Sequence, residues 1–373
     1  MKRAKLIVAS SESDADILYA SRFHAPDAFA FLEAKSRTIL LLNDLEVDRG
    51  RSEAAVDEVV AYSEIERKAR GRRKLRPPYA AVLAAFLRSR AATDVEVPEN
   101  FPLGLSQNLE KAGIRLRPVG PLFWPQREFK SPREVRLLKE SAAIAETGMA
   151  RAFEILAASS IRKDGQLVWA RSVLTAETLR AEIETAVLRA GGESRMNSIV
   201  ACGDQACDPH ARGKGPLLGN SLIILDIFPR CAASGYFGDI TRTVVRGRAS
   251  EYQRELWNLC LKVQQSALRA IRPGADGGAM QDAAKQTFTE AGYPTEIHEG
   301  RWRGFFHGLG HGLGLEIHEH PRLAATTLRE GQVVTVEPGL YWPGIGGVRH
   351  EDVVVLTGTG KKLLTSFPKP MEI

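Results

Sequence analysis

A glycine-rich segment holds three of the chain's eight histidines within twelve residues. It runs from His307 to Glu319 and includes His311 and His318. In a regular strand His307 and His311 would lie about 13 Å apart, and the four intervening and following glycines disfavour a helix. Glycine lets the backbone approach a ligand closely, and imidazole serves as a base or a metal ligand. We therefore predict a bent segment whose histidines take part in chemistry.

Four acids stand at the margins of apolar, β-rich runs: Asp226, Asp239, Glu337 and Glu351. A hairpin can bring Asp226 and Asp239 side by side, and neighbouring carboxylates repel each other unless they share a proton or a cation. A divalent metal resolves that repulsion. Each acid alone could be an exposed residue at the end of a strand, and each histidine alone could have only a structural, hydrogen-bonding role. Taken together, these residues predict a metal-dependent hydrolase.

Other catalytic patterns are missing from the sequence. His318-Glu319 is not followed by the second histidine of a zinc-peptidase helix, because position 322 is arginine. There is no Gly-x-Ser-x-Gly elbow, no phosphate-binding Walker loop and no dinucleotide fingerprint. The metal hypothesis is thus the one that the residues favour.

The first 125 residues alternate short apolar runs with helical runs, which predicts an α/β domain. We expect strands at Leu6–Ala9 and Thr38–Leu42, and helices at Asp14–Ser21, Pro78–Arg88 and Leu103–Ala112. Prolines and a glycine clustered between residues 118 and 132 predict a domain boundary near residue 125.

The remainder predicts helices with a largely antiparallel sheet. Ser131 and Glu134 form a capping-box pattern, with Pro132 at the first helical position. Further helices are expected at Leu174–Arg189, Glu251–Ile271 and Gly278–Ala291. Strands are expected at Leu222–Phe228, Asp239–Val245, Val333–Glu337 and Val348–Leu356.

Composition is that of an ordinary globular protein, with 44% hydrophobic residues and a net charge of +6. The densest basic run, residues 66–76, could bind nucleic acid or an acidic membrane. A solvated helix face or loop is the reading we favour, because no aromatic interleaving and no nucleic-acid motif accompany the run. The small number and irregular spacing of the four cysteines indicate reduced thiols in a cytoplasmic protein. We expect neither a secretion signal nor a membrane span.

These residues resemble those of the pita-bread metallopeptidase family (M24), which includes methionine aminopeptidase, aminopeptidase P and prolidase. The similarity runs from about Phe129 to the last residue. It implies an α+β fold with a pita-bread catalytic domain at residues 126–373. Residues 1–125 look like the smaller N-terminal α/β domain of the creatinase, prolidase and aminopeptidase P branch.

The resemblance implies two divalent cations, with Asp239 and Glu351 bridging them. The full set of implied metal ligands is Asp226, Asp239, His311, Glu337 and Glu351. An oxygen-rich set with one imidazole suits Mn²⁺, with Co²⁺ or Zn²⁺ as alternatives. The implied catalytic and substrate-binding residues are His210, His307, His318, Glu337 and Arg349. Arg349 would contact either a metal ligand or a substrate carboxylate.

The family pattern also implies a reaction: a hydroxide bridging the metals attacks the bond before proline in a dipeptide or a short peptide. Dipeptidase and aminopeptidase modes stay open, as do a creatinase-type hydrolase and a non-catalytic binding module. A homodimer is expected from the resemblance. The chain departs from the pattern at three points: Asp226 and Asp239 lie thirteen residues apart rather than eleven, Gly238 replaces serine or alanine, and His350 replaces an aliphatic residue.

Overall fold

The computed structural model describes residues 3–71, 75–193 and 197–373. The chain divides into two compact units, with the division between Pro125 and Gln126. Within the described ranges, no helix has both the length and the apolar character that crossing a bilayer requires.

The first unit is built on a mixed sheet with the strand order β4-β3-β2-β1-β5-β6. Its strands are β1 Ala4–Ala9, β2 Phe29–Ala34, β3 Arg37–Leu42, β4 Glu58–Ala61, β5 Asp94–Pro98 and β6 Arg115–Val119. Its helices are α1 Ala15–Ser21, α2 Val47–Glu53, α3 Tyr62–Arg70, α4 Tyr79–Ser89 and α5 Leu103–Lys111. Leu6 and Ile7 belong to different apolar clusters, because successive strand residues point to opposite faces. The sheet is therefore covered on both faces, as an α/β unit requires.

The helices of the second unit form two pairs. They are α6 Pro132–Ala158, α7 Ala176–Arg189, α8 Glu251–Ala270 and α9 Gly277–Glu290. The predicted capping box opens α6: the Ser131 hydroxyl accepts a hydrogen bond from the Glu134 amide, and the Glu134 carboxylate accepts one from the Ser131 amide. α6 and α7 share one buried apolar cluster, whereas α8 and α9 share another.

Strands of the second unit pair antiparallel within several small sheets. The first strands are β7 Ser160–Ile161, β8 Leu167–Trp169, β9 Ser172–Val173, β10 Gly192–Glu193, β11 Ile199–Cys202, β12 Leu222–Ile227, β13 Arg230–Cys231 and β14 Ile240–Val245. The later ones are β15 Glu296–His298, β16 Arg301–Arg303, β17 His311–Gly312, β18 Glu319–Arg322, β19 Val333–Val336, β20 Gly339–Trp342, β21 Gly346–Arg349, β22 Asp352–Thr357 and β23 Gly360–Leu363. One sheet has the order β11-β12-β14 and packs on α6 and α7. Another has the order β18-β17-β19-β22-β23 and packs on α8 and α9.

The single strand predicted at Val348–Leu356 is wrong. The structure forms two strands there, β21 paired with β20 and β22 paired with β19 and β23. Between them the Glu351 amide donates to the carbonyl of Thr241, at an N···O distance of 3.1 Å. That bond draws the chain towards β14 and separates two otherwise continuous apolar runs.

The basic run at residues 66–76 lies partly outside the described residues, since 72–74 are not among them. Arg67, Lys68 and Arg70 are exposed near the end of α3. The four cysteine thiols are buried and free.

Candidate metal centre

A β-hairpin brings the first two acids together. β12 pairs with β14 so that Asp226 lies opposite Thr241 and Ile227 opposite Ile240. Asp239 immediately precedes β14, and both acids are buried. The predicted hairpin is therefore present.

The other sheet supplies His311, Glu337 and Glu351. Only a two-residue strand forms around His311, and its register with β18 is irregular, as the glycine-rich sequence led us to expect. The His311 amide donates to the hydroxyl of Thr335, 3.0 Å away. Glu337 directly follows β19, and its amide donates to the carbonyl of Leu309 at 2.9 Å. Backbone bonds thus hold each acidic or imidazole side chain at a strand end.

Side chains from the two sheets converge on one cavity. One potential ligand atom each of Asp239, His311 and Glu351 lies within 4.8 Å of the others. His311 Nε2 is 3.7 Å from Asp239 Oδ2 and 3.3 Å from Glu337 Oε1. Asp226 and Glu337 line the same cavity, whose volume is about 560 Å³. All five residues of the expected ligand set therefore face one space.

The electrostatics of this cluster suit a divalent cation. Burial, reinforced by repulsion from neighbouring acids, raises the pKa of Asp239 and of Glu351 well above the usual range. Burial likewise raises the pKa of Glu337 to about 7. Asp226 Oδ1 and Glu351 Oε1 are buried without a hydrogen-bond partner in the described part of the chain. Buried oxygens of this kind need a proton or a cation, so the residues present fit a metal centre.

His311 is prepared to act as a neutral ligand. Burial lowers the pKa of its imidazole to about 4. Its Nδ1 lies 3.0 Å from the carbonyl of Gly312. Donation from Nδ1–H to that carbonyl would leave the Nε2 lone pair free towards the acids, which is the arrangement typical of metal-bound histidine.

Arg349 contacts a metal-ligand candidate. Its guanidinium is buried and donates to Asp226 Oδ2 at 2.6 Å and to the Tyr341 hydroxyl at 2.9 Å. Tyr341 also lies 2.8 Å from His307 Nε2. Burial, and next the charge of Arg349, lower the pKa of His307 to about 3. Of the two roles expected for Arg349, the observed contacts support the one beside Asp226.

The two remaining histidines also line the cavity. His210 and His318 are both exposed. The His318 ring lies edge-on to His311, with centroids 4.4 Å apart. The His210 amide donates to Asp208 Oδ1 at 3.1 Å, which fixes the backbone of its loop.

Sequence reasoning missed a residue that contacts the cavity wall and several that line it. Tyr341 lies in an apolar strand, and nothing in its local sequence distinguishes it from a core residue. Arg322 lines the cavity four residues after His318, is exposed, and forms no ion pair with any described residue. The wall between these groups is apolar, and it consists of Ile199, Phe228, Phe306 and Ile317.

Two departures from the family pattern have structural counterparts. A side chain at Gly238 would place its Cβ 2.1 Å from the carbonyl oxygen of Ser141 on α6, so the close backbone approach needs glycine. His350 is fully buried against Trp257, with ring centroids 4.7 Å apart. Both of its ring nitrogens lack a hydrogen-bond partner among the described residues.

Comparisons with known proteins identify relatives of this chain in sequence and in fold. A Xaa-Pro dipeptidase of Pyrococcus horikoshii is 30% identical over 282 residues, which cover 74% of each chain. The solved structure of a Xaa-Pro dipeptidase from Bacillus anthracis superposes with a TM-score of 0.81 at 26% identity, covering 99% of this chain and 95% of that one. An X-Pro aminopeptidase structure from Thermotoga maritima shares the fold, with a TM-score of 0.81 at 24% identity over 99% and 97% of the two chains. Residues 136–358 match the profile of metallopeptidase family M24, and the chain belongs to that family.

Proposed function

We propose that this protein is a metal-dependent peptidase that hydrolyses the bond between any residue and a following proline. The observation that carries the proposal is the convergence of Asp239, His311 and Glu351 with two further acids in one cavity. The dipeptidases named above support the substrate class, because they are similar over most of the chain.

Asp226, Asp239, His311, Glu337 and Glu351 are the residues that would hold two divalent cations. Divalent cations held there would supply Lewis acidity, which lowers the pKa of water and polarises a scissile carbonyl. Carboxylate oxygens with one imidazole favour Mn²⁺, whereas Co²⁺ and Zn²⁺ are alternatives.

Glu337 is the proposed proton carrier. With its pKa raised to about 7, its carboxyl group holds or releases a proton near neutral pH, which is where a general base or acid is most effective. Its Oε1 accepts a hydrogen bond from the Thr335 hydroxyl at 3.3 Å, which orients the group.

Three histidines would contact the substrate. His318 lies beside His311 and faces the cavity, where its ring N–H can stabilise negative charge on the carbonyl oxygen. The low pKa of His307 keeps it neutral, and its bond with Tyr341 fixes its ring. His307 and His210 would then hold the residue after the scissile bond.

Arg322 supports a dipeptidase mode. A dipeptide carries its free carboxylate only one residue beyond the scissile bond, so a nearby cation is needed to bind it. Arg349 is already engaged by Asp226 and Tyr341. Arg322 lines the cavity without an ion pair in the described chain, and arginine binds carboxylates well. We therefore propose Arg322 as the carboxylate partner.

Hydrolysis of Ala-Pro, Ala-Pro-Ala and Ala-Leu tests the proposal, with Mn²⁺ added and after chelation. Metal-dependent cleavage of Ala-Pro alone is expected, and Arg322→Met should raise KM for Ala-Pro. Cleavage of Ala-Pro-Ala as well would indicate the aminopeptidase mode. A protein with two bound metals that cleaves no peptide would overturn the proposal and favour a binding module or a creatinase-type hydrolase.

The organisation of the chain is part of the same proposal. We propose that residues 1–125 are the N-terminal domain of the prolidase and aminopeptidase P branch, that residues 126–373 are the pita-bread catalytic domain, and that the protein is a cytoplasmic homodimer. The coverage of 99% by the dipeptidase structure supports the domain assignment. The four free thiols suit a reducing compartment. Sedimentation at several concentrations and cell fractionation test the assembly and the location.

A further inference from the structure

A buried cluster of charges lies behind the loop that carries His311 and His318. Glu319 is buried, and its carboxylate accepts hydrogen bonds from two cations. Lys130 Nζ donates to Glu319 Oε1, and Arg127 Nη2 donates to Glu319 Oε2 at 2.7 Å. The Lys130 side chain is 1% exposed and that of Glu319 is 6% exposed. None of these groups takes part in the chemistry described above.

The loop is folded around that carboxylate. The Glu316 amide donates to Glu319 Oε2 at 3.4 Å. A side chain at Gly314 would place its Cβ 2.3 Å from Glu319 Oε1, so the backbone of the loop approaches the carboxylate closely. His318 is the residue immediately before Glu319. We therefore expect displacement of the carboxylate to shift the loop backbone that carries His318.

The cluster is better suited to positioning than to stability. A buried ion pair contributes little net stability, because desolvation of both charges offsets their attraction. Loss of Lys130 leaves Glu319 Oε1 buried without its cation, while Arg127 still holds Oε2, so the carboxylate and the loop around it are expected to rearrange. Lys130 is anchored as well, since its Nζ donates to the carbonyl of Arg127 and its amide donates to that of Gly331, 2.7 Å away.

We propose that Lys130, together with Arg127, positions His318 by fixing the Glu319 carboxylate at the centre of the His311–His318 loop. This inference rests on the proposed peptidase function for its kinetic readout. It assigns a role to the lysine that precedes the α6 capping box, which the metal chemistry leaves unexplained.

The test compares Lys130→Met, Lys130→Arg and the isosteric Glu319→Gln. At full metal loading, Lys130→Met should lower kcat for Ala-Pro by ~10–100-fold, the order expected for a reacting group displaced by about 1 Å. KM should change little, and Lys130→Arg should restore part of kcat. Lys139→Met removes an exposed lysine from α6 and should leave kcat unchanged. Leu179→Ala lowers stability through the α6–α7 core and should leave kcat of the folded, metal-loaded enzyme unchanged.

Hydrogen exchange gives a readout that does not depend on activity. In Lys130→Met, the peptide containing residues 313–319 should exchange faster than in the wild type, whereas α7 should not. The double variant Lys130→Met/Glu319→Gln should lose no more activity than the more severe single variant, because both act through one carboxylate. Unchanged exchange in Lys130→Met, or additive losses in the double variant, would overturn the positioning role. A wild type that cleaves no peptide would refute the proposed function instead, and exchange would still decide the role of Lys130.

Discussion

Removing the metals should make the stability of this protein fall as pH rises from about 5 to 8. In the metal-free protein, burial raises the pKa of Glu337 from 4.5 to about 7, and it raises the pKa of Asp239 and Glu351 also. A carboxyl group whose pKa is higher in the folded than in the unfolded state stabilises the fold below its unfolded pKa. That contribution is lost as pH rises through the folded pKa.

The size of the effect can be worked out for Glu337 alone. The rise in the pKa of Glu337 from 4.5 to about 7 corresponds to about 3 kcal/mol of unfolding free energy, which is lost between pH 4.5 and pH 8. Cation binding needs the ionised carboxylate, so metal uptake at pH 6 should release about one proton from Glu337. His311 should release none, because its pKa of about 4 leaves it neutral at pH 6.

The assay is chemical denaturation of chelated and Mn²⁺-loaded protein at pH 5, 6, 7 and 8. Calorimetric titration with Mn²⁺ in two buffers of different ionisation enthalpy then counts the released protons. Glu337→Gln is the matched control: it should reduce the pH dependence of the metal-free protein, leaving the part that Asp239 and Glu351 contribute, and it should lower proton release at pH 6 by about one. A metal-free protein whose stability is constant or rises from pH 5 to 8, or equal proton release by wild type and Glu337→Gln, would refute the reasoning.

Three substitutions test other parts of the structure. Gly238→Ser should lower the denaturation midpoint, because its Cβ would collide with the carbonyl of Ser141; overpacking of this kind costs roughly 1–3 kcal/mol or more. His350→Val should leave the free energy of unfolding unchanged or raise it by about 1 kcal/mol, as measured by thermal unfolding. The substitution removes two buried ring nitrogens that have no hydrogen-bond partner among the described residues. Arg180→Met should lower kcat/KM for Ala-Pro by roughly tenfold, because buried Arg180 donates to the carbonyls of residues 212 and 213, shortly after His210, and ties them to the carbonyl of residue 198.

Two of these substitutions have a control variant, and the third has an outcome that would contradict it. Gly104→Ser adds the same side chain where nothing lies within 4 Å of the new Cβ, so it should leave the midpoint unchanged. Arg180→Lys should retain part of the activity if the charge and length of the side chain hold the loop. Equal losses of activity in both variants, with a normal KM in Arg180→Met, would contradict that role. A His350→Val protein that unfolds several degrees earlier would show that the imidazole stabilises its surroundings.

Much of the candidate site could be predicted because its chemistry depends on local sequence. Asp226 follows the apolar run at residues 222–225, Asp239 directly precedes β14 and Glu337 directly follows β19, so their type and position are visible without a structure. The capping box at Ser131 and Glu134 is likewise a four-residue signal. The features that identify these residues lie in the adjacent sequence, so they can be predicted without a structure.

Other features depend on contacts between distant segments. β2 was missed because it contains alanine and glutamate, which are depleted in strands. Its hairpin with β3 turns at Lys35 and Ser36, which both have positive φ angles of 50° and 61°. Such turns usually contain Asn-Gly or Asp-Gly, and that signal is missing. Tyr341 was missed for a similar reason, since only its hydrogen bonds to His307 and Arg349 connect it with the candidate site.

The longer spacing between Asp226 and Asp239 need not disturb the metal centre, and the hairpin register explains why. The ladder between β12 and β14 is continuous from Leu222 opposite Val245 to Ile227 opposite Ile240. Because Asp226 lies within that ladder and Asp239 adjoins its last pair, their separation is set by strand pairing and not by the length of the turn. The additional residues lie in the turn beyond the ladder, where Ala232 and Ala233 are exposed and β13 pairs with β10. A surface turn can lengthen at small cost, so the difference in spacing is compatible with an unchanged ligand geometry.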